Sequence, residues 1–187
     1  MTKTAFLLAA LLASIGVSAQ TVKLQTTEGD IRIELNAEKA PKSVANFLQY
    51  VKAGHYNGVV FHRVIDGFMI QTGGYDAKLA QRPTKPPIPL ESHNGLSNSR
   101  GSIAMARTND PNSATAQFFI NVADNVSLDG QPDNPATGYA VFGQVVSGME
   151  VVDKIRMAPV AARDMMFQNL PVKPIFITKA LIEPVKK

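Results

Sequence analysis

Residues 59–71 read VVFHRVIDGFMIQ: two short apolar runs, rich in β-branched and aromatic residues, parted by Asp66 and Gly67. Runs of this length punctuated by turn residues are strands rather than helices. In one extended strand, alternation puts Phe61, Arg63 and Ile65 on one face and His62 and Val64 on the other. An arginine set inside so apolar a run is either a salt bridge at a sheet's rim or a cation kept for function, and spacing alone leaves both open.

The same texture continues along the chain in GSIAMAR (101–107), QFFINVA (117–123), YAVFGQVV (139–146) and IFITKALI (175–182). Upstream, VKLQTT and DIRIEL alternate apolar and polar residues on either side of Glu28 and Gly29, which predicts a hairpin. Two segments have helical period. Pro41 opens one in which Val44, Phe47, Leu48 and Val51 fall on one face before Gly54 stops it, and residues 148–156 place Val151, Val152 and Ile155 together. Residues 76–93 and 127–138 are loops by composition. About eight short strands with two helices predict an all-β fold, a closed barrel capped by the helices, since closure removes exposed strand edges.

The chain has 187 residues, 45% of them hydrophobic and 18% charged, which suits one globular domain. At this size roughly 70% of the unfolded surface can be buried, so neither disulfides nor a metal is needed to hold a core. The chain has no cysteine.

The first nineteen residues read as a secretory leader: Lys3, then the apolar run AFLLAALLASIGV, then Val17, Ser18 and Ala19. That run is too short for a spanning helix, which needs about 20 residues. Cleavage after Ala19 leaves residues 20–187 as the mature domain, with no membrane insertion. It carries 18 basic and 15 acidic residues, a net charge of +3, scattered apart from Lys186 and Lys187. That excludes a nucleic-acid footprint.

No nucleophile elbow, dinucleotide fingerprint, phosphate loop or zincin helix is present. His55, His62 and His93 lack metal-site spacing, so no metal and no cofactor is expected. Asn125, Val126 and Ser127 form one glycosylation triplet, a pattern that often arises by chance.

FHRVI followed by GFMIQ, then GSIAMARTNDPNSATAQFFIN (101–121) and YAVFGQVVSGMEVVDKI, resembles the cyclophilins in order, spacing and residue type across essentially the whole mature chain. The MART and FFINVADN wording is most similar to the periplasmic cyclophilins of Gram-negative bacteria. The resemblance implies a closed eight-stranded antiparallel barrel capped by two helices, with a peptide groove on its outer face. It also implies peptidyl-prolyl cis-trans isomerase activity on proline-containing unfolded or extended polypeptides. The leader segment makes the periplasm the expected location, and with no coiled-coil pattern a monomer is expected. By resemblance Arg63 is the catalytic residue, and Phe68, Met69, Phe119 and Leu128 form the proline pocket. Gln71 and Gln117 line the groove, while Ala106, Arg107 and Thr108 bind the residue before proline. His62 is read as a buried structural histidine.

Such chemistry needs a fixed cation and no bond cleavage. Amide resonance sets a barrier of about 18–20 kcal/mol to rotation. In the twisted transition state the prolyl nitrogen regains its lone pair, and a guanidinium aimed at it favours that state over either planar isomer. Three positions depart from the family pattern. Ser127 stands where many members carry a tryptophan, Tyr139 replaces a histidine in the groove, and Arg107 replaces an asparagine. Weak cyclosporin binding is therefore expected. A peptide-gripping module without turnover and a ligand-free structural barrel are the competing readings; the second leaves Arg63 and the two glutamines unexplained.

Overall fold

A computed structural model describes residues 20–184; the expected leader and the terminal lysines lie outside the described residues. The chain opens with the antiparallel pair β1 (Gln20–Thr26) and β2 (Gly29–Leu35). The turn comes one residue earlier than the sequence pattern placed it. Thr26 Oγ1 donates to the Gly29 carbonyl at 2.7 Å and accepts from the Glu28 amide at 3.1 Å, so the connecting pair is Thr27–Glu28.

Helix α1 (Pro41–Lys52) follows, burying Ser43, Val44, Asn46, Phe47, Tyr50 and Val51. Its N-terminus has no cap from its own preceding residue. Instead the Glu91 carboxylate, reaching from the long loop, accepts from the Lys42 and Ser43 amides at 3.0 and 2.8 Å. An anion there satisfies orphan donors and complements the helix dipole.

Next come β3 (Val59–Val60), β4 (Arg63–Ile65), β5 (Met69–Thr72), β6 (Ser102–Met105), β7 (Phe118–Asn121) and β8 (Val141–Ser147). Helix α2 (Met149–Arg156) precedes a small two-stranded excursion, β9 (Val160–Ala161) with β10 (Leu170–Pro171), before β11 (Phe176–Ile182). Gly148 caps α2 at φ +94°, with its backbone against β2. A Cβ there would collide with the Asp30 carbonyl oxygen, which is why glycine stands at this corner.

Nine strands form one curled sheet in the order β3-β11-β1-β2-β8-β6-β7-β5-β4. This corrects the expected closed eight-stranded barrel: the sheet is a half-barrel with two ends, β3 and β4. The cause lies in residues 61–62. The run VVFHRVI is not one strand, because β3 pairs with β11 and β4 pairs with β5, and the chain changes partner between them. Phe61 consequently turns into the core, fully buried, while Arg63 points outward. Simple alternation had put them on one face. From Arg63 onward alternation holds, with Val64 inside the curl and Ile65 outside.

Both end strands are covered on their outer side by short contacts rather than by a further strand, β3 through a bridge between Val59 and Asp76. Val60 donates to the Tyr75 carbonyl, and Val64 donates to that of Asn169 in the excursion. Covering an edge in this way removes a template for aggregation. The main core fills the concave side, where Leu24, Ile31, Ile33, Ile103, Phe118, Ile120 and Phe142 meet the inner faces of both helices. Among the described residues no helix is long and apolar enough to cross a membrane.

Candidate active site

A second apolar cluster lies on the convex face. Met69, Ala104, Phe119 and Val141 are buried there, with Ile65, Phe68, Leu96, Ala106, Leu128 and Tyr139 packed around them. Strand β7 shows how one sequence builds both sides: Phe118 enters the core, and the next residue, Phe119, floors the outer surface. Above this floor is a cavity of about 360 Å³. Ten of the eleven groove residues named from the sequence line it: Arg63, Phe68, Met69, Gln71, Ala106, Arg107, Gln117, Phe119, Leu128 and Tyr139; Thr108, exposed on the adjoining loop, does not.

The polar wall is a relay from β4 through β5 to Gln117, the residue just before β7. Arg63 and Gln71 are direct partners in the β4–β5 ladder, and Arg63 Nη1 donates to Gln71 Oε1 at 3.3 Å. Gln71 Nε2 donates in turn to Gln117 Oε1 at 2.9 Å. The Arg63 guanidinium is exposed, and its carbon lies 6.0 Å from the Phe68 ring centroid. Most of its donors thus remain free above an apolar floor. Beside Gln117, Ala106 donates its amide to the Gln117 carbonyl at 3.0 Å, and Ala106 and Arg107 line the cavity.

Two of the three departures from the family pattern touch each other. Arg107 stacks over the Tyr139 ring at 4.8 Å, and Tyr139 meets Phe119 edge-on at 5.6 Å. Ser127, the third, is exposed on a 3₁₀ turn, Val126–Leu128, and only Leu128 of that turn reaches the cavity.

Buried asparagines hold the apolar wall from behind. Asn125 Nδ2 donates to the Phe68 carbonyl at 2.8 Å and to Asn121 Oδ1 at 2.7 Å, and Asn98 Nδ2 donates to the Leu128 carbonyl at 3.1 Å. Asn121 Nδ2 closes the network on Asn98 and Ser102. The amide of the glycosylation triplet is therefore committed: Asn125 is 9% exposed and supports the site.

Four further residues line the cavity: His62, Tyr75, Met166 and Phe167. Their signal was present in Met165, Met166 and Phe167, three consecutive apolar residues in an otherwise polar stretch. The rings of His62, Tyr75 and Phe167 pack edge-on, 4.7 to 6.4 Å apart. Burial pushes the His62 imidazole down to about 4, so it is neutral at pH 7. Among the described residues its Nδ1 has no hydrogen-bond partner.

A pH-dependent loss of stability follows. Unfolded, His62 takes up a proton below about pH 6.5; folded, it resists until about pH 4. Its contribution to stability is thus complete above pH 6.5 and is lost as pH falls to 4, by roughly 3 kcal/mol in all. Thermal melts between pH 7 and 4 should show a steeper fall for the wild type than for His62→Gln; parallel curves would remove His62 as the cause.

No group of three or more histidines or acids that could hold a metal ion occurs among the described residues. An apolar floor, a fixed cation with free donors and two amide side chains suit binding and torsion of a peptide, not hydrolysis.

The sequence matches the family model described as Cyclophilin type peptidyl-prolyl cis-trans isomerase/CLD over residues 21–181. The chain belongs to this family, and its enzyme class is that of a peptidyl-prolyl cis-trans isomerase. It is 54% identical over 162 residues to peptidyl-prolyl cis-trans isomerase A of Dickeya dadantii, covering 86% of this chain and 83% of that one. To peptidyl-prolyl cis-trans isomerase B of Escherichia coli it is 48% identical, covering 86% and 98%. Among solved structures, a cyclophilin type isomerase of Cryptosporidium parvum superimposes with a TM-score of 0.72 at 28% identity, covering 89% and 98%. The same protein in the presence of the dipeptide ala-pro gives 0.72 at 27%, covering 88% and 99%.

Proposed function

We propose that this isomerase accelerates Xaa-Pro exchange in unfolded and extended polypeptides that leave the cytoplasm, acting as a monomer in the periplasm. Export rests on the leader composition of residues 1–19. The observation that carries the mechanism is the Arg63 guanidinium, standing free above an apolar floor and tethered on one side by Gln71. In this reading the proline ring sits on Phe68, Met69, Phe119 and Leu128, the apolar side chains that line the cavity. As the peptide twists, an Arg63 N–H donates to the pyramidal prolyl nitrogen, and Gln71 and Gln117 hold the guanidinium and the peptide backbone.

No proton is transferred, so activity should not follow the ionisation of His62. An enhancement of about 10⁵ requires roughly 7 kcal/mol of selective stabilisation. One hydrogen bond does not supply that, so desolvation and orientation on the apolar floor must add to it. NMR exchange rates for an Xaa-Pro peptide, with residues 20–187 beside Arg63→Ala, test the proposal. A folded mutant that retains full activity sinks the role of Arg63.

Cyclosporin should bind weakly, with a dissociation constant in the micromolar range. Ser127 offers neither the apolar area nor the N–H donor of an indole, a deficit on the order of two to three decades in affinity. Calorimetric titration giving a nanomolar constant would refute this.

A further inference from the structure

We infer that the groove is selective for prolines with an acidic side chain immediately before or after them, and that Arg107 with Arg63 sets this preference. The inference rests on the isomerase reading above and adds a substrate class to it.

Among the described residues the cavity is lined by two arginines and by no aspartate or glutamate. Its histidine, His62, is neutral at physiological pH. Elsewhere among the described residues Arg32, Arg100 and Arg156 each meet a carboxylate, of Glu183, of Asp153, and of Asp153 with Asp66 respectively, while Arg82 and Arg163 meet none. Arg63 and Arg107 meet none within ion-pair distance among the described residues, and both are held by neutral acceptors. Arg63 leans on the Gln71 amide oxygen. Arg107 Nε donates to the Gly138 carbonyl and its Nη1 to that of Thr108, both at 2.9 Å, while its plane rests on Tyr139.

Neutral tethers fix an arginine without cancelling its charge. Arg107 is half-buried and held at three points, so an arriving carboxylate finds its remaining donors already oriented. Two uncompensated cations over a low-dielectric apolar floor focus a positive potential into the space the peptide must enter. A carboxylate flanking the proline gains there, an amide is indifferent, and an ammonium is repelled.

The test measures kcat/KM by NMR exchange spectroscopy on peptides with blocked termini, in which the residue next to proline is Glu, Gln or Lys. One series places it before the proline and one after. In at least one series the wild type should favour Glu over Gln by about 5- to 10-fold and Gln over Lys by a similar factor, and 0.5 M NaCl should compress both ratios. In Arg107→Gln the Glu-to-Gln ratio should fall below about 3. Because each ratio is taken within one protein, a general loss of activity in the variant does not affect it.

Ratios near one in both series, with the wild type active on the Gln peptides, overturn the inference and leave the isomerase reading standing. So does a preference unchanged in Arg107→Gln. Failure of the wild type on every peptide overturns the isomerase reading and this inference with it.

Discussion

Arg63→Ala is expected to lower kcat/KM for an Xaa-Pro peptide by about 10²- to 10³-fold while leaving the fold intact. The size follows from removing one preorganised donor aimed at charge that develops only in the transition state. The intact fold follows from position: Arg63 is exposed on an end strand, and among the described residues its one side-chain hydrogen bond is the 3.3 Å contact with Gln71. Surface changes of this kind usually alter stability by less than about 0.5 kcal/mol. Because the lost interaction belongs to the transition state, the drop should appear in kcat with KM little changed. Arg63→Lys should recover only part of the loss, since an ammonium keeps the charge but cannot both hold Gln71 and present a second fixed donor. NMR exchange rates paired with thermal melts check all three statements. A folded Ala variant within threefold of wild type would remove Arg63 from the chemistry.

The groove residues were legible because their spacing along the chain is rigid. Arg63, Phe68, Met69 and Gln71 lie within nine positions on two adjoining strands and the turn that joins them, so a pattern match there is already a geometric statement. The partner change at Phe61 and His62 was not legible. It depends on β11, more than a hundred residues away, supplying the pairing for Val59 and Val60, and no local periodicity records that. The asparagine network escaped for a related reason. Asn98, Asn121 and Asn125 are polar residues in loops and at a strand end, where solvent exposure is the ordinary expectation, and only the fold shows that each amide is spent on a buried partner. The contact between Arg107 and Tyr139 was visible as two separate departures from a pattern, but their pairing needed the 127–138 loop to be placed beside residue 107.

Phe47→Ala should have the largest effect on stability. Phe47 is fully buried in α1, and its ring lies 5.3, 5.3 and 5.2 Å from those of Tyr56, Phe118 and Phe142. It joins the helix to the concave face of the sheet through three separate segments, so no single neighbour can move in to fill the space it leaves. Phenylalanine-to-alanine changes in cores cost about 3–5 kcal/mol, the upper part of that range applying where the cavity cannot collapse. A loss of about 4 kcal/mol, or roughly 8–16 °C in Tm for a domain of this size, is expected. Phe47→Leu keeps most of the volume and should cost about 1–2 kcal/mol, which separates the cavity from the aromatic contacts. Denaturant unfolding of the three proteins measures this directly. Strand β7 carries Phe118 inward and Phe119 outward, so a relaxed cavity behind Phe118 should also blunt the floor of the groove. Peptide binding by Phe47→Ala, measured well below its Tm, should weaken several-fold. A loss of stability under 1.5 kcal/mol would mean that the helix is held chiefly by its other contacts, such as the Asn46 amide on the Thr115 carbonyl and the Glu91 carboxylate at its N-terminus.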